Sequence, residues 1–200
     1  MAKDLTGKRV AILVTDGFEQ VEMTEPRQAL DDAGAETILV SPKEGPVKGW
    51  QMTDWGDEFE VDMLLDEADS EAFDALLIPG GQINPDLLRV QPQAVQFVKD
   101  FFDAKKPVGA ICHGPWLLAE ADVIQGRRMT SYHSIKTDLI NAGADWQDEE
   151  VVVDEGLVTS RKPGDIKAFC HKLVEEISEG LHRLRRVPAA SDKSEQRPNP

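Results

Sequence analysis

The 200-residue sequence has little cysteine and no long apolar segment. Its two cysteines, Cys112 and Cys170, are too few for the disulfide framework of a small secreted domain, and they lack the spacing of metal ligands. The apolar run Val10–Val14 is too short for a signal peptide, and no later run is long enough to span a bilayer. We therefore expect a soluble cytoplasmic protein that uses no metal and no organic cofactor.

Basic side chains are also scarce. The chain has 22 lysines and arginines against 37 aspartates and glutamates, so its formal charge is -15. A field of this sign repels phosphate backbones and anionic headgroups, which argues against nucleic acid and membranes as partners. The hydrophobic content of 40% and charged content of 30% are typical of globular domains, so most of the chain should fold.

Four short apolar runs end abruptly at turn residues, as strands buried on both faces of a sheet do. They are Val10–Val14, Thr37–Val40, Ala75–Ile78 and Val108–Ile111. Segments with helical periodicity separate these runs, and the alternation predicts right-handed crossovers between parallel strands. The fold class is therefore α/β, an open sandwich with a mostly parallel sheet between helical layers.

The C-terminal part departs from this alternation. Val151–Val153 and Leu157–Thr159 are close together and predict a small antiparallel hairpin. One more helix follows, so residues 1–180 are predicted to form a single domain. Residues 181–200 are rich in proline and polar side chains, which cannot build a core, and are predicted to be a disordered tail.

The chemistry is expected at the carboxyl ends of the strands, where open parallel sheets bind their ligands. Cys112 follows the fourth strand in the sequence Ala-Ile-Cys-His-Gly, which has the form of a nucleophile elbow. A helix begins just after it, and its free amides are expected to lower the thiol pKa. The alternative is that Cys112 acts as a small buried hydrophobe, and this is the interpretation we favour for Cys170.

Other groups near the strand ends could assist such a nucleophile. The Gly80-Gly81 turn after the third strand lets backbone amides point into the cleft, and with the amide of His113 they could form an oxyanion hole. Glu19 follows the first strand, and its carboxyl is expected to approach the Cys112 sulfur and to hold the proton that the pair shares. The alternative for Glu19 is a solvated glutamate in an acidic stretch.

The histidines are harder to interpret. His113 is adjacent to Cys112, so at an elbow the two side chains are expected to diverge and to need unusual geometry or another chain to cooperate. His133 could approach the same cleft, although a lone histidine is more often structural.

Several motifs together resemble the ThiJ/PfpI superfamily, and within it the branch of PfpI-like peptidases. The resemblance covers about residues 8–178. It rests on DGFEQVE, FDALLIPGG, KPVGAICHGPWLL, GRRMTSYHSIKTDLINAGA and EVVVDEGLVTSRKPGDI.

The resemblance implies a flavodoxin-like three-layer sandwich and assigns roles to residues. It implies Cys112 as nucleophile, Glu19 as its protonated carboxyl partner, and the amides of Gly81 and His113 as oxyanion donors. It also implies that Asp86 orients His113 of a neighbouring subunit, and hence a homo-oligomer, either a dimer or a hexamer. Tyr132 matches a cleft tyrosine of that branch.

The family resemblance leaves the substrate open among peptides, methylglyoxal and glycated adducts. A small dicarbonyl needs only a small pocket, and we identify no peptide-binding subsite, so we favour glyoxalase or deglycase chemistry in a stress-protective enzyme. The alternative is a redox-sensing or chaperone-like protein that uses oxidation of Cys112. A class I glutamine amidotransferase is excluded because its downstream His-x-Glu pair is missing.

Overall fold

The computed structural model describes residues 3–181, and all but the first residue of the predicted tail lies outside this range. Its centre is a seven-stranded sheet. Along the chain the strands of this sheet are β1 (Arg9–Leu13), β2 (Glu36–Ser41), β5 (Met63–Leu64), β6 (Ala75–Ile78), β7 (Val108–Ile111), β10 (Val151–Asp154) and β11 (Leu157–Ser160). Four smaller strands form two separate pairs: β3 (Val47–Gln51) with β4 (Asp54–Phe59), and β8 (Arg128–Met129) with β9 (Asp145–Trp146).

The order across the sheet is β10-β11-β7-β6-β1-β2-β5, and every neighbouring pair is parallel except β10 with β11. Every residue of β6 and β7 is buried, as expected for aliphatic strands covered on both faces. The prediction of a mostly parallel α/β sheet is therefore confirmed. The expected hairpin near residues 151–159 is confirmed as β10 and β11.

Helices cover both faces of the sheet. They are α1 (Gln20–Asp32), α2 (Ile83–Arg89), α3 (Pro92–Asp103), α4 (Pro115–Glu120), α5 (Lys136–Asn141) and α6 (Ile166–Glu179). Two apolar clusters fill the space between the layers: one includes residues of α1 and α6, the other residues of α3, α4 and α5. Within residues 3–181, no helix combines the length and the apolar character needed to cross a membrane.

The β3–β4 hairpin was not predicted from the sequence. The strand β4 has the sequence DWGDEF, and none of its residues is buried. Only Phe59 at its end packs against the core, so the strand does not show the alternation of apolar and polar residues that reveals a half-buried strand. The hairpin nevertheless contacts the site described below, through a bridge between Glu19 and Trp50.

The sheet order brings three turns to one edge. Strand β6 lies between β1 and β7, and all three run in the same direction. The segments that follow them are residues 16–19, 79–81 and 112–114, and we call these the strand-end turns. The residues expected to do chemistry therefore meet beyond the carboxyl ends of central strands.

Candidate active site

Cys112 occupies a strained position directly after β7. Its φ is 62°, a left-handed value that is uncommon for a residue with a side chain. Neighbouring backbone fixes this conformation: the Cys112 amide donates to the Ser160 carbonyl at 3.0 Å, and the Cys112 carbonyl accepts from the Tyr132 amide at 2.8 Å. The side chain is largely shielded, since only 7% of the residue is exposed. This is the geometry expected of a nucleophile elbow.

The carboxyl that meets Cys112 belongs to Glu22. Its side chain is fully buried and lies beside that of Cys112, so each group perturbs the pKa of the other. The Gly80 amide donates to Glu22 Oε2 at 3.1 Å, which holds the carboxyl in place. Gly80 leaves room for both groups, because a Cβ there would lie 2.6 Å from the Cys112 Cβ and would overlap the Glu22 carboxylate. The prediction that Glu19 is the carboxyl partner of Cys112 is therefore wrong.

Glu19 points elsewhere because of where α1 begins. Glu19 precedes the helix and has an extended backbone, whereas Glu22 lies in the first helical turn on the face toward the sheet. The Glu19 carboxylate accepts a long hydrogen bond of 3.4 Å from the Met52 amide at the tip of the β3–β4 hairpin. Partial burial raises the Glu19 pKa.

Both members of the buried pair favour their protonated forms. Burial raises the pKa of Glu22 to about 8, with a smaller contribution from the charge of Glu19. Burial, and then the charge and hydrogen bond of Glu22, raise the pKa of the Cys112 thiol, although the Gly81 and His113 amides partly oppose this. The expected lowering of the thiol pKa is thus wrong, because desolvation and the neighbouring Glu22 outweigh the two amides.

Two backbone amides converge on the sulfur. Those of Gly81 and His113 both lie close enough to the Cys112 side chain to favour its thiolate. Gly81 reaches this position with a φ of 76°, and any Cβ there would overlap the Gly17 carbonyl oxygen. Glycine is therefore required for both its conformation and its lack of a side chain. An oxygen that develops negative charge beside the sulfur would meet the same two donors.

The imidazole of His113 does contact Cys112 within one chain. Its Nδ1 lies 3.3 Å from the sulfur, and its Nε2 lies 3.1 Å from the hydroxyl of Ser134. Burial lowers the His113 pKa to about 4, with a smaller contribution from the nearby His133. The expectation that the two side chains diverge is wrong, since the left-handed backbone of Cys112 turns them toward each other.

Aromatic rings extend from this imidazole toward the surface. The Tyr132 ring stacks on His113 with centroids 4.8 Å apart, and the His133 ring lies 4.4 Å from that of Tyr132. Tyr132 and His133 thus both lie beside the site, and His133 is exposed. Ser134 was missed by the sequence analysis, because nothing in the sequence shows which turn faces His113.

Asp86 is separate from this group within one chain. It is exposed on α2, next in the helix to Leu87 and one turn from Ile83, and both of these apolar side chains are partly exposed. The contacts of His113 described above do not include it. The role of Asp86 toward a neighbouring subunit therefore stays a prediction.

Cys170 lies away from the strand-end turns. It is half-buried on α6, and burial raises its pKa to about 12, so its thiol stays protonated at neutral pH. Within the part of the chain that the structure describes, no group of three or more histidine, cysteine or acidic side chains is placed to hold a metal ion.

Comparison with known proteins gives consistent matches. A model of the DJ-1/PfpI family matches residues 8–176. General stress protein 18 of Bacillus subtilis is 50% identical over 165 residues, which cover 82% of this chain and 94% of that protein. Protein/nucleic acid deglycase 2 of Escherichia coli is 47% identical over 165 residues, which cover 81% of this chain and 93% of that protein. Drosophila melanogaster DJ-1beta superposes with a TM-score of 0.78 at 27% identity, covering 86% of this chain and 90% of that one.

Proposed function

Because the chain belongs to the DJ-1/PfpI family, we propose that it is a stress-protective, cysteine-dependent enzyme acting on small dicarbonyls or on their adducts with amines. The observation that carries this proposal is the contact of one sulfur with a neutral carboxyl, an imidazole and two backbone amides. The names of the relatives, a general stress protein and a deglycase, support it. The predicted cytoplasmic location remains part of the proposal.

The first step is attack of the Cys112 sulfur on the aldehyde carbon. His113 is neutral at physiological pH, since its pKa is about 4, and its Nδ1 is close enough to accept the thiol proton as the S–C bond forms. The aldehyde oxygen gains the negative charge, and the Gly81 and His113 amides stabilise it. Return of the proton from His113 to this oxygen completes a hemithioacetal on Cys112.

The following steps need no external oxidant. A proton leaves the former aldehyde carbon and another is added to the adjacent carbonyl carbon, so the first carbon is oxidised to a thioester while the second is reduced to an alcohol. Water then cleaves the thioester, releasing lactate and restoring the thiol. For an amine adduct, the sulfur attacks the carbon bonded to nitrogen, and that C–N bond breaks as the amine leaves with a proton. In the overall reaction, the adduct and one water molecule give the free amine and lactate.

The burial of the site favours small substrates over peptides. Only 7% of Cys112 and 8% of His113 are exposed, so the reacting carbon must enter a narrow space. A peptidase must align an extended backbone beside its nucleophile, whereas a three-carbon dicarbonyl makes no such demand. This supports glyoxalase or deglycase activity above peptidase activity.

A product assay on freshly reduced protein tests the proposal. We expect consumption of methylglyoxal with equimolar lactate formation, and little hydrolysis of labelled casein measured in parallel. Intact mass before the assay verifies that Cys112 is reduced. If reduced protein forms no lactate, the proposal is wrong, and selective addition of two oxygens to Cys112 by graded peroxide would then favour the redox-sensing alternative.

We also propose that Asp86 completes the site of a neighbouring copy in a homo-oligomer. Its exposure on α2 beside the partly exposed Ile83 and Leu87 supports this arrangement, because apolar groups at a surface favour contact between copies. We expect Asp86→Asn to lower kcat about tenfold while leaving the oligomeric state unchanged. Sedimentation velocity that detects only monomer at assay concentrations would remove Asp86 from the mechanism.

A further inference from the structure

The imidazole of His113 is held in one orientation by its neighbours. The ring of Tyr132 stacks on it with an angle of 27° between the planes, and the ring of Trp116 meets it edge-on with centroids 5.3 Å apart. Trp116 is itself fixed, because its indole N–H donates to Asp138 at 2.8 Å and the guanidinium of Arg89 lies over its ring. These contacts fix the plane of the imidazole, so each ring nitrogen keeps its own partner.

The ring nitrogen that points away from Cys112 faces a hydroxyl group. Ser134 Oγ lies 3.1 Å from His113 Nε2, while Nδ1 of the same ring lies 3.3 Å from the sulfur. Ser134 belongs to a short 3-10 helix, His133–Ile135, which directly follows Tyr132. Because the Tyr132 amide donates to the Cys112 carbonyl, the segment that closes the nucleophile turn also sets the position of this hydroxyl.

The single proton of a neutral imidazole can lie on either nitrogen, and its place decides whether His113 can act as a base toward the sulfur. Burial and the neighbouring Glu22 raise the pKa of the Cys112 thiol, which therefore carries its own proton at neutral pH. A proton on Nδ1 would face that thiol, and sulfur is a weak acceptor. A proton on Nε2 instead leaves Nδ1 free to accept from the thiol, and it needs an acceptor at Nε2.

We propose that Ser134 is a positioning residue that accepts the Nε2 proton of His113 and so keeps Nδ1 free to take the proton of Cys112. This rests on the proposed function, in which that proton transfer starts the reaction. The same hydrogen bond strengthens when the ring becomes an imidazolium, since an ionised donor bonds more strongly than a neutral one. Ser134 therefore acts through the imidazole and takes no part in the bonds that form and break.

Nitrogen NMR of the full chain with isotope-labelled histidine shows the tautomer without requiring turnover. We expect His113 to carry its proton on Nε2 in wild type at neutral pH, and Ser134→Ala to convert it to a mixture of both tautomers. Ser134→Thr keeps the hydroxyl and should keep the wild-type tautomer. Ser178→Ala, which removes a hydroxyl that donates to the Glu175 carbonyl on α6, is the matched control. A wild-type His113 with its proton on Nδ1 would overturn the inference without any variant.

The reactivity of Cys112 gives a second measurement. Alkylation by iodoacetamide requires loss of the same thiol proton, so its rate, followed by intact mass in a Cys170→Ser background, should fall about fivefold in Ser134→Ala. The kcat for lactate formation should fall by about the same factor, with KM nearly unchanged.

Three results would contradict the role of Ser134. They are an unchanged alkylation rate in Ser134→Ala, an equal loss in Ser134→Thr, and a change of tautomer in Asp86→Asn but not in Ser134→Ala, which would assign Nε2 to a neighbouring copy. If the tautomer and the alkylation rate change as expected but reduced wild type forms no lactate, the proposed function fails while the role of Ser134 stands.

Discussion

Replacement of Cys112 by serine is expected to lower lactate formation from methylglyoxal by at least about 10³-fold. Serine preserves the size of the side chain and the contacts of the backbone, but its hydroxyl is far less acidic than a thiol and a weaker nucleophile. The rate at saturating substrate, measured by lactate release, gives the effect directly.

Cys170→Ser is the matched control for this experiment. Its thiol lies on α6, outside the strand-end turns, and burial keeps it protonated, so activity should remain near that of wild type. Equal loss of activity in both variants would indicate damage to the fold rather than loss of a nucleophile. Full activity in Cys112→Ser would contradict the assignment.

Replacement of Glu22 by glutamine is expected to change how stability depends on pH. The pKa of Glu22 rises from about 4.5 in the unfolded chain to about 8 in the fold, so the folded state binds more protons between these values. Stability due to this group therefore falls as pH rises through that interval, by about 1.4 kcal/mol per pH unit. Glutamine is neutral throughout and removes this dependence.

The titration of His113 limits the pH range in which the effect of Glu22 on stability can be measured. Its pKa falls from about 6.5 to about 4, so the unfolded chain binds more protons in that range and stability rises with pH there. The two slopes oppose each other below pH 6.5. Between pH 6.5 and 8 the Glu22 contribution dominates, and wild type should lose about 1 kcal/mol of unfolding free energy across it.

Urea unfolding at several pH values measures this slope. Glu22→Gln should be nearly flat between pH 6.5 and 8, whereas the exposed control Glu25→Gln should keep the wild-type decline. A Glu22→Gln protein that loses as much stability as wild type over this interval would show that the buried carboxyl is not its origin.

The fold was predictable because its central strands are buried on both faces. An uninterrupted aliphatic run such as Val108–Ile111 has few structural alternatives between two turn sequences. The β3–β4 hairpin has no such pattern, since β4 is acidic and unburied, and so its presence beside Glu19 could not be inferred.

The choice between Glu19 and Glu22 shows what limits the prediction of a site. Both lie in the same short acidic stretch, and only the starting point of α1 decides which one faces the sheet. A usable signal was present, because Glu22, Pro26 and Leu30 are four residues apart and all lie on the buried face of α1. Helical periodicity could therefore have placed Glu22 among the core positions.

The position of His113 could not have been found in this way. Its contact with Cys112 depends on a left-handed φ, and its contact with Ser134 joins turns that are distant in sequence. Neither contact depends on a local sequence pattern, because both follow from the way the whole sheet packs.

The bond between the Cys112 amide and the Ser160 carbonyl has a consequence for biosynthesis. Strand β11 pairs with β7, so one edge of the nucleophile's strand stays open until residue 160 has left the ribosome. In the nascent chain, Cys112 therefore lacks both the burial and the strained turn that it has in the complete fold. The strained turn that orients the sulfur can form only after β11 has been synthesised and has paired with β7.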